Sequence, residues 1–399
     1  MKISYKQLSL IPKEINPNFG FCIYGPVYEE IKLWTEYHKL AVEVHDKYTN
    51  IYIPEGILIQ DLFSDLQPKV FEYMDGFSPN LNKNLHIGHL SNLVLAKTFK
   101  SLGVVKKLVA LLGDTLPIES VTKKEALDNL YKFLLDFKID YDKVYFASSM
   151  EYFATDLNLI PGEDQYVGTQ VFSLPDGNKI VGVKSDGSTS YFYQDAVLAS
   201  LLQSNTLYLT GSEQTNHFVQ LKTLYPHIEH IGLGLLTLNG SKMSSRLGNV
   251  IYIQDFIDSI LLEFNNDIQL VYNVCAGFIL KSKPEKNKSI NTDLLSNVKN
   301  SLGLYISYTM ARLYSAGLYF KCNDTFESQV LEFAYCTSKV ELNPSKLFSA
   351  LVDHCKDINL LYSTNRIQGN EYNQKMFQNL LGDLLLGARY LGLFWIKNV

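Results

Sequence analysis

The sequence has no apolar run long enough to cross a membrane, and its first residues lack the apolar segment of a secretory signal. Its five cysteines are scattered, and none lies in a CxxC pair or at ligand spacing from a histidine. We therefore expect neither a disulfide framework nor a metal site held by protein ligands. These absences predict a cytoplasmic protein without a membrane partner.

The sequence also lacks an excess of positive charge. Its 36 Lys and Arg residues are outnumbered by 41 Asp and Glu residues, which gives a formal net charge of −5. No overall basic field therefore indicates a nucleic-acid partner, although local Lys and Arg residues can still contact phosphates. Hydrophobic residues make up 46% of the 399 residues, and this composition and length predict a globular chain of two or three domains.

The clearest structural pattern begins at residue 70. The stretch VFEYMDGF predicts a strand, LHIGHLSNLVLAKTFKSLG has helical periodicity and ends at Gly103, and VVKKLVALLGD predicts a second strand. Such a strand-helix-strand unit belongs to a parallel sheet. From residue 252 onward the periodicity predicts helices almost to the end of the chain.

These patterns predict an α/β fold in which a Rossmann-type parallel-sheet domain is followed by an all-α domain. We divide the chain into a small N-terminal extension (1–70), the parallel-sheet domain (71–260) with an insertion at 117–185, and a helical part (261–399). The helical part contains a basic stretch with Lys281, Lys283, Lys286 and Lys288. We interpret this stretch as a solvated linker rather than as a phosphate contact.

The tetrapeptide His86-Ile87-Gly88-His89 lies where the predicted loop gives way to the helix. A helix start offers free N–H groups and the positive end of the dipole, which suits phosphates. Two imidazoles can donate to phosphate oxygens, and the glycine lets the backbone approach a nucleotide. The tetrapeptide alone does not establish a site, because two surface histidines at a helix start have the same pattern.

A second signal is the segment Lys242-Met243-Ser244-Ser245-Arg246, in a loop flanked by glycines. A loop that carries Lys, hydroxyls and Arg can neutralise the charge that develops on a leaving pyrophosphate. An ordinary solvated basic turn is the alternative for this loop alone. Because both segments occur in one chain and in this order, we favour the pyrophosphate-binding loop over the solvated turn.

Together the two segments resemble the signature of class I aminoacyl-tRNA synthetases, and the surrounding sequence resembles the arginyl-tRNA synthetase family. The block that runs from Asp75 through Ser-Pro-Asn80 and Lys83 to His86 is similar to the block of that family in which an acidic residue, Ser-Pro-Asn and Lys precede the HIGH tetrapeptide. In the family the second Lys of the loop is often absent, and a Lys three residues before the HIGH tetrapeptide replaces it. Here Ser245 stands at the position of the second Lys, and Lys83 lies three residues before His86.

The resemblance implies roles for individual residues. The implied catalytic residues are Lys83, His86, His89, Lys242 and Arg246, and the implied ATP-binding residues are His86, Gly88, His89, Lys242, Met243, Ser244 and Ser245. The implied arginine pocket consists of Asp75, Asn80, Tyr191, Asp195 and Gln214. Carboxylates suit a guanidinium because they accept its paired N–H groups, although each Asp taken alone is equally well interpreted as a cap or turn residue.

The resemblance covers about residues 70–399 and is patchy between 110 and 180. Its last part looks like the family's helical anticodon-binding domain, which implies tRNA contacts at Tyr308, Arg312, Asn359 and Tyr362. The implied reaction forms arginyl-adenylate from L-arginine and ATP, with Mg²⁺ carried by the phosphates, and transfers arginine to tRNA. We expect a monomer.

Three departures from the family pattern leave alternatives open. Fewer residues precede the HIGH tetrapeptide than the family's N-terminal module contains, a Gly-Asp-Trp-Gly-Thr-Gln block is reduced to Gly113-Asp114-Thr115, and Ser91 stands where Arg is usual. One alternative is a shortened paralogue that uses the adenylate or the charged tRNA for a specialised product. The other is a non-catalytic regulatory protein on a synthetase scaffold.

Overall fold

The structure, a computed structural model, describes most of the chain. The described residues are 2–10, 20–24, 29–54, 56–114, 122–154, 157–238, 240–242, 250–290, 298–318 and 322–397. The chain divides into two compact units. We call Val70–Leu304 with Gly392–Phe394 the central unit, and Met1–Lys69, Tyr305–Leu391 and Trp395–Val399 the terminal unit.

The first part of the terminal unit is a four-stranded antiparallel sheet with two helices. Its elements are β1 (Ser9–Leu10), β2 (Gly20–Tyr24), α1 (Glu29–Tyr37), β3 (Ala41–Val44), β4 (Tyr48–Tyr52) and α2 (Ile59–Leu62), and the strand order is β1-β2-β4-β3. Trp34 of α1 is fully buried, and its indole N–H donates to the carbonyl of Leu62 at 3.2 Å. This bond ties α1 to α2 within one core.

The central unit is built from eleven described strands and seven described helices. The strands are β5 (Phe71–Asp75), β6 (Val105–Leu112), β7 (Lys143–Phe146), β8 (Leu159–Pro161), β9 (Gln170–Ser173), β10 (Lys179–Val183), β11 (Thr206–Gly211), β12 (Ile228–Leu233), β13 (Leu236–Leu238), β14 (Ser241–Lys242) and β15 (Lys288–Ile290). The helices are α3 (Gly88–Ser101), α4 (Lys123–Asp136), α5 (Met150–Phe153), α6 (Tyr191–Leu202), α7 (Thr215–Leu224), α8 (Ile253–Leu261) and α9 (Ile268–Leu280).

The main sheet of the central unit is five-stranded and wholly parallel, in the order β12-β11-β5-β6-β7. Its strands are mostly apolar, as expected for strands buried on both faces. The predicted parallel-sheet domain is therefore confirmed. Because the strand order reverses beside β5, the carboxyl edge around β5, β6 and β11 is where a ligand is expected to bind.

The segment 117–185, which we expected to be an insertion, has two structural parts. β7 continues the parallel sheet, because it pairs with Val109–Leu112 of β6, and α4 lies between these two strands in the chain. Only the later part stands apart, as the three-stranded antiparallel sheet β10-β9-β8. The apolar spacing of α4 is the same in an insertion and in a crossover helix, so the sequence does not separate the two.

The remaining helices lie in the second half of the chain. They are α10 (Leu302–Ser315), α11 (Gln329–Val340), α12 (Ser345–Thr364) and α13 (Glu371–Tyr390), which agrees with the predicted helical C-terminal part. The compact units are nevertheless drawn differently from our three segments. Residues 261–304 pack with the parallel sheet, and residues 1–69 share a unit with the helices, where Phe21 lies against Phe333 at 5.3 Å between ring centroids.

None of the helices in the described ranges is long and apolar enough to span a membrane.

Candidate active site

The HIGH segment lies at the carboxyl edge of the sheet, between β5 and α3. The amide of Gly88 donates to Nδ1 of His86 at 3.1 Å, and the amide of His86 donates to Nδ1 of His89 at 3.1 Å. The two rings lie 4.0 Å apart between centroids. A β-carbon at Gly88 would stand 2.8 Å from the His86 ring, so the close fold of this segment requires glycine.

The charge state of these two histidines follows from their burial. Burial lowers the pKa of His86, and burial together with the neighbouring His86 lowers the pKa of His89 to about 4. Both rings are therefore neutral at pH 7. Because each Nδ1 accepts a backbone N–H, each neutral ring carries its proton on Nε2. Two Nε2–H donors are thus available at this edge.

The segment that follows the predicted signature loop is hydrogen-bonded to the HIGH segment. His86 and Tyr252 form an antiparallel bridge. On either side of it the amide of Ile87 donates to Ile251 and the amide of Ile253 donates to Leu85, both at 2.9 Å. This pairing explains why α3 begins at Gly88 rather than at Leu85.

The signature loop begins at the end of a β-hairpin formed by β13 and β14. β14 ends at Lys242, which pairs with Thr237 of β13 in antiparallel register. Met243, Ser244, Ser245 and Arg246 lie outside the described residues, as do all residues from 243 to 249. The backbone of the described flanks thus fixes where the loop begins and where it ends.

Asp75 is the last residue of β5 and is buried, with 7% of its surface exposed. The hydroxyl of Ser78 donates to its Oδ1. Burial raises the pKa of Asp75 to about 7, the Ser78 hydrogen bond opposes this shift, and the charge of Asp195 adds to it. No cation contacts Asp75 among the described side chains, so a positively charged ligand would stabilise its ionised form.

Asp195 approaches the same region from α6. Its Oδ2 lies 2.8 Å from Nε2 of His217 on α7, which leaves its other oxygen available to a ligand. Although Asp75 and Asp195 are far apart in sequence, Asp195 raises the pKa of Asp75 through its charge. The two carboxylates thus lie close enough for the charge of one to act on the other.

The other predicted residues of the arginine pocket are more accessible. Tyr191 begins α6 with 66% of its surface exposed, and it lies one helical turn before Asp195, so both side chains share a face of α6. Gln214 is exposed and ends the short 3₁₀ helix Ser212–Gln214 that follows β11. Tyr191 thus lies at the start of the helix that carries Asp195, and Gln214 lies just beyond the carboxyl end of β11.

Asn80 lies against the end of β6. It forms a parallel bridge with Gly113, and the amide of Leu81 donates to the Gly113 carbonyl at 2.8 Å. The exposed Lys83 follows, with its amide 3.2 Å from the Asn80 carbonyl. The charge of Lys83 contributes to the lowered pKa of both His86 and His89, which agrees with a position near the HIGH segment.

The four predicted tRNA contacts cluster within the terminal unit. The Arg312 guanidinium donates to Asn359 at 2.9 Å and lies 4.1 Å from the ring centroid of Tyr362 and 5.9 Å from that of Tyr308. Tyr308 is 46% exposed. Arg312 and Asn359 therefore partly satisfy each other, and Tyr308 is the most exposed of the four.

Sequence reasoning misses two residues near the described site, Tyr208 and Gly113, and the burial of a third residue, Lys288. Tyr208 of β11 is paired in register with Asp75, and its hydroxyl is buried without a hydrogen-bond partner among the described residues. The sequence presents Gly113 only as part of a shortened Gly-Asp block, whereas in the structure it forms a bridge with Asn80. Lys288, which we interpreted as part of a solvated linker, is buried, with 5% of its surface exposed. The hydrophobic strand around Tyr208 gave no signal for a functional role.

Comparisons with known proteins match parts of the chain to arginine–tRNA ligases. No family model matches the chain. The arginine–tRNA ligase of Limosilactobacillus fermentum is 35% identical over 178 residues, which is 37% of this chain and 32% of that protein. The arginine–tRNA ligase of Lactobacillus johnsonii is 24% identical over 417 residues, which is 79% of this chain and 74% of that protein. The chain thus spans about a third of the first curated relatives that it matches.

Solved structures share the fold. Arginyl-tRNA synthetase of Thermus thermophilus matches with a TM-score of 0.61 and 14% identity over 97% of this chain and 98% of that chain. That of Plasmodium falciparum matches with a TM-score of 0.63 and 14% identity over 97% of both chains. The parallel sheet with its HIGH helix is thus the fold of these arginyl-tRNA synthetases. The resemblance to that family, predicted from the sequence, is confirmed.

Proposed function

We propose that the chain activates L-arginine with ATP and then transfers the arginine to tRNA. The observation that carries the proposal is the bridge between His86 and Tyr252, because it fixes the end of the signature loop beside the HIGH segment. A phosphate-binding helix start and a basic loop are useful to each other only if both reach the same triphosphate.

ATP would lie along the carboxyl edge of the sheet with its phosphates at the start of α3. The Nε2–H groups of His86 and His89 would donate to phosphate oxygens, and Gly88 permits the close approach. Positive charge would come from Lys83, Lys242 and Arg246, whose ammonium and guanidinium groups stabilise the pentavalent transition state and the leaving pyrophosphate.

Mg²⁺ would be carried by the ATP phosphates. Within the described ranges, no three or more His, Cys, Asp or Glu side chains form a group that could hold a metal. The donor set is therefore compatible with a cation that arrives with its nucleotide and keeps several waters, and we assign it no protein ligand.

L-Arginine would place its guanidinium near Asp75 and Asp195. A buried carboxylate beside a second one is destabilised by desolvation and by like charge, and a guanidinium relieves both by donating several N–H bonds. Tyr191 and Gln214 would complete the polar lining, and Asn80 would bind the α-amino or α-carboxylate group. A lysine side chain would leave part of this acceptor set unpaired, which favours arginine.

The reaction needs no protein nucleophile. A carboxylate oxygen of arginine attacks the α-phosphorus of ATP, the bond to the bridging oxygen breaks, and pyrophosphate leaves. A hydroxyl of the 3′-terminal ribose of tRNA then attacks the arginyl carbonyl carbon and releases AMP. Tyr308, Arg312, Asn359 and Tyr362 form the surface that would contact the RNA in the terminal unit.

The test is arginine-dependent exchange of pyrophosphate into ATP, followed by charging of total tRNA with radiolabelled arginine. We expect exchange with arginine and none with lysine, and we expect acid-precipitable label. Exchange should be measured with and without tRNA, since some activating enzymes need the acceptor bound. No exchange under either condition would contradict the proposal, whereas exchange without any charging would favour the specialised paralogue.

A further inference from the structure

Lys288 is a buried lysine whose ammonium group is held by backbone carbonyls. Its Nζ donates to the carbonyl oxygens of Lys283 at 3.0 Å, Lys286 at 3.2 Å and Pro284 at 3.4 Å. An ammonium has three N–H donors, so this set of acceptors is complete. Hydrogen bonds from a charged donor are stronger than neutral ones, and together these bonds close the turn on itself.

Burial determines the charge state of this group. Burial lowers the pKa of Lys288 to about 8, and the charge of Lys281 adds to that shift while Glu285 opposes it. Most molecules therefore carry the ammonium at neutral pH. A buried ammonium without its acceptors would be strongly unfavourable, so the turn and the ammonium stabilise each other.

The same turn binds the chain that leads into β13. The amide of Gly234 donates to Pro284 at 3.0 Å, and the amide of Leu235 donates to the side-chain oxygen of Asn287 at 2.8 Å. A β-carbon at Gly234 would stand 2.3 Å from the backbone of Lys286, so the two segments are in direct contact. The carbonyls that bind Lys288 thus belong to a turn that also fixes the entry to β13.

The connection continues to Lys242. β15, which starts at Lys288, pairs in parallel with β13. β13 in turn pairs antiparallel with β14, and Thr237 of β13 lies opposite Lys242 of β14. The amide of Gly240, in the hairpin between β13 and β14, donates to Oγ of Ser289 at 3.2 Å. One continuous set of hydrogen bonds therefore runs from the turn closed by Lys288 to the first residue of the signature loop.

We propose that Lys288 is a positioning residue that anchors the β13–β14 hairpin and thereby sets the place of Lys242 at the active site. This inference rests on the proposed function, since it assigns Lys242 to the pyrophosphate-binding loop. Lys288 touches no substrate in this scheme. It acts through the turn 283–287 and through β15.

The anchoring is tested by hydrogen–deuterium exchange of the full chain, read on peptides that cover residues 236–242. In Lys288→Met these amides should exchange faster than in the unchanged protein, whereas the peptide that covers Lys143–Phe146 should not change. Lys286→Met is the matched control, because it removes one lysine charge from the exposed side of the same turn and leaves the backbone acceptors in place. Ser289→Ala should have a smaller effect in the same direction.

The role in catalysis is tested by pyrophosphate exchange with the same variants. Misplacing a group that stabilises the transition state lowers the turnover rate by about 10- to 100-fold, so Lys288→Met should lower kcat by that factor while KM for arginine stays within twofold. Lys286→Met should match the unchanged protein. If Lys288→Met does not fold, Lys288→Gln, which keeps N–H donors for part of the carbonyl set, decides the matter through the same two measurements.

Each outcome has a distinct meaning. Unchanged exchange of the hairpin amides in a folded Lys288 variant would overturn the anchoring, whatever Ser289→Ala shows. Faster exchange of the hairpin with an unchanged kcat would overturn the positioning role. If the unchanged protein itself shows no pyrophosphate exchange, the proposed function fails, and the hydrogen–deuterium measurement still decides whether Lys288 anchors the hairpin.

Discussion

Gly113 lies directly beneath the side chain of Asn80: a β-carbon at Gly113 would stand 1.7 Å from Asn80 Oδ1. Gly113→Ala should therefore displace Asn80 and destabilise the protein by about 1–3 kcal/mol, the usual range for overpacking a well-packed site. Arginine-dependent pyrophosphate exchange should fall as well. Chemical unfolding measures the first effect. The double variant Asn80→Ala/Gly113→Ala removes the clash and should recover most of the stability, and a double variant no more stable than Gly113→Ala would contradict this account.

Lys242 ends β14 at the start of the signature loop. Lys242→Ala should slow adenylate formation by about 10²- to 10⁴-fold, because it removes a charged contact to the transition state. Pyrophosphate exchange measures the rate. Lys106→Ala is the control, since this lysine is exposed and pairs with Glu72 at the surface, at 3.0 Å. A loss of less than threefold in Lys242→Ala would mean that this residue does not act on pyrophosphate.

Asp195 of α6 has a fixed partner in His217, at 2.8 Å. Asp195→Asn keeps the shape of the side chain but removes its charge, so arginine should bind more weakly by about 2–4 kcal/mol while ATP binding changes little. Titration calorimetry with each ligand measures both. Asp176→Asn, in the exposed turn after β9, is the matched control. Unchanged arginine affinity in Asp195→Asn would exclude this residue from the arginine pocket.

Asp75 should make arginine binding depend on pH. Its pKa of about 7 means that it is largely protonated at pH 6 and ionised at pH 8, and only the ionised form attracts a guanidinium. One such group weakens binding by about tenfold from pH 8 to pH 6, and binding near pH 7 should release protons. Calorimetry in two buffers of different ionisation enthalpy counts these protons. Asp75→Asn should bind arginine weakly at both pH values, and a persistent tenfold dependence in that variant would assign the proton elsewhere.

The raised pKa of Asp75 also affects folding. In the unfolded chain the same carboxyl has its ordinary, lower pKa, so the folded state takes up a proton as the pH falls from about 7 to about 4. The stabilising contribution is complete below the unfolded pKa and is lost as the pH rises through about 7. Relative to Asp75→Asn, the free energy of unfolding of the unchanged protein should fall as the pH rises from about 4 to about 7 and should stay level outside that window.

Tyr308 is the most direct test of RNA contact. Stacking of a base on an aromatic ring contributes about 1–3 kcal/mol, so Tyr308→Ala should raise the KM for tRNA by about 5- to 150-fold without changing pyrophosphate exchange. Tyr372→Ala, a tyrosine of the same unit that is 78% exposed, is the control. Equal charging by Tyr308→Ala would remove this residue from the proposed surface.

With a net charge of −5, charging should also fall steeply between about 50 and 200 mM salt, while adenylate formation changes little.

The sequence predicted those features that local patterns encode. The strand-helix-strand unit around the HIGH segment follows from hydrophobic periodicity, and the structure confirms it in β5, α3 and β6. The approach of Asp195 to Asp75 was implied by resemblance and not by periodicity. Helical spacing says which face of α6 carries Asp195 but not what that face meets, since this depends on the order of strands in the sheet.

Other features depend on contacts that no local pattern encodes. Lys288 lies in a stretch rich in lysine and serine, and composition favours a solvated segment there; its burial follows from carbonyls in a turn that only the folded chain supplies. The packing of Phe21 against Phe333 joins residues more than 300 positions apart, so it could not be predicted from either neighbourhood. The role of Gly113 likewise depends on which loop crosses the end of β6.

The backbone amides that occupy Nδ1 of His86 and His89 have a consequence for the two substrates. Neither imidazole needs to gain or lose a proton in order to donate through Nε2 to a phosphate, because both rings are already neutral and held in one tautomer. Under the proposed function, arginine would by contrast displace a proton from Asp75. Acidification would then act unequally on the two proposed substrates, and a mildly acidic medium should weaken the binding of arginine before that of the nucleotide.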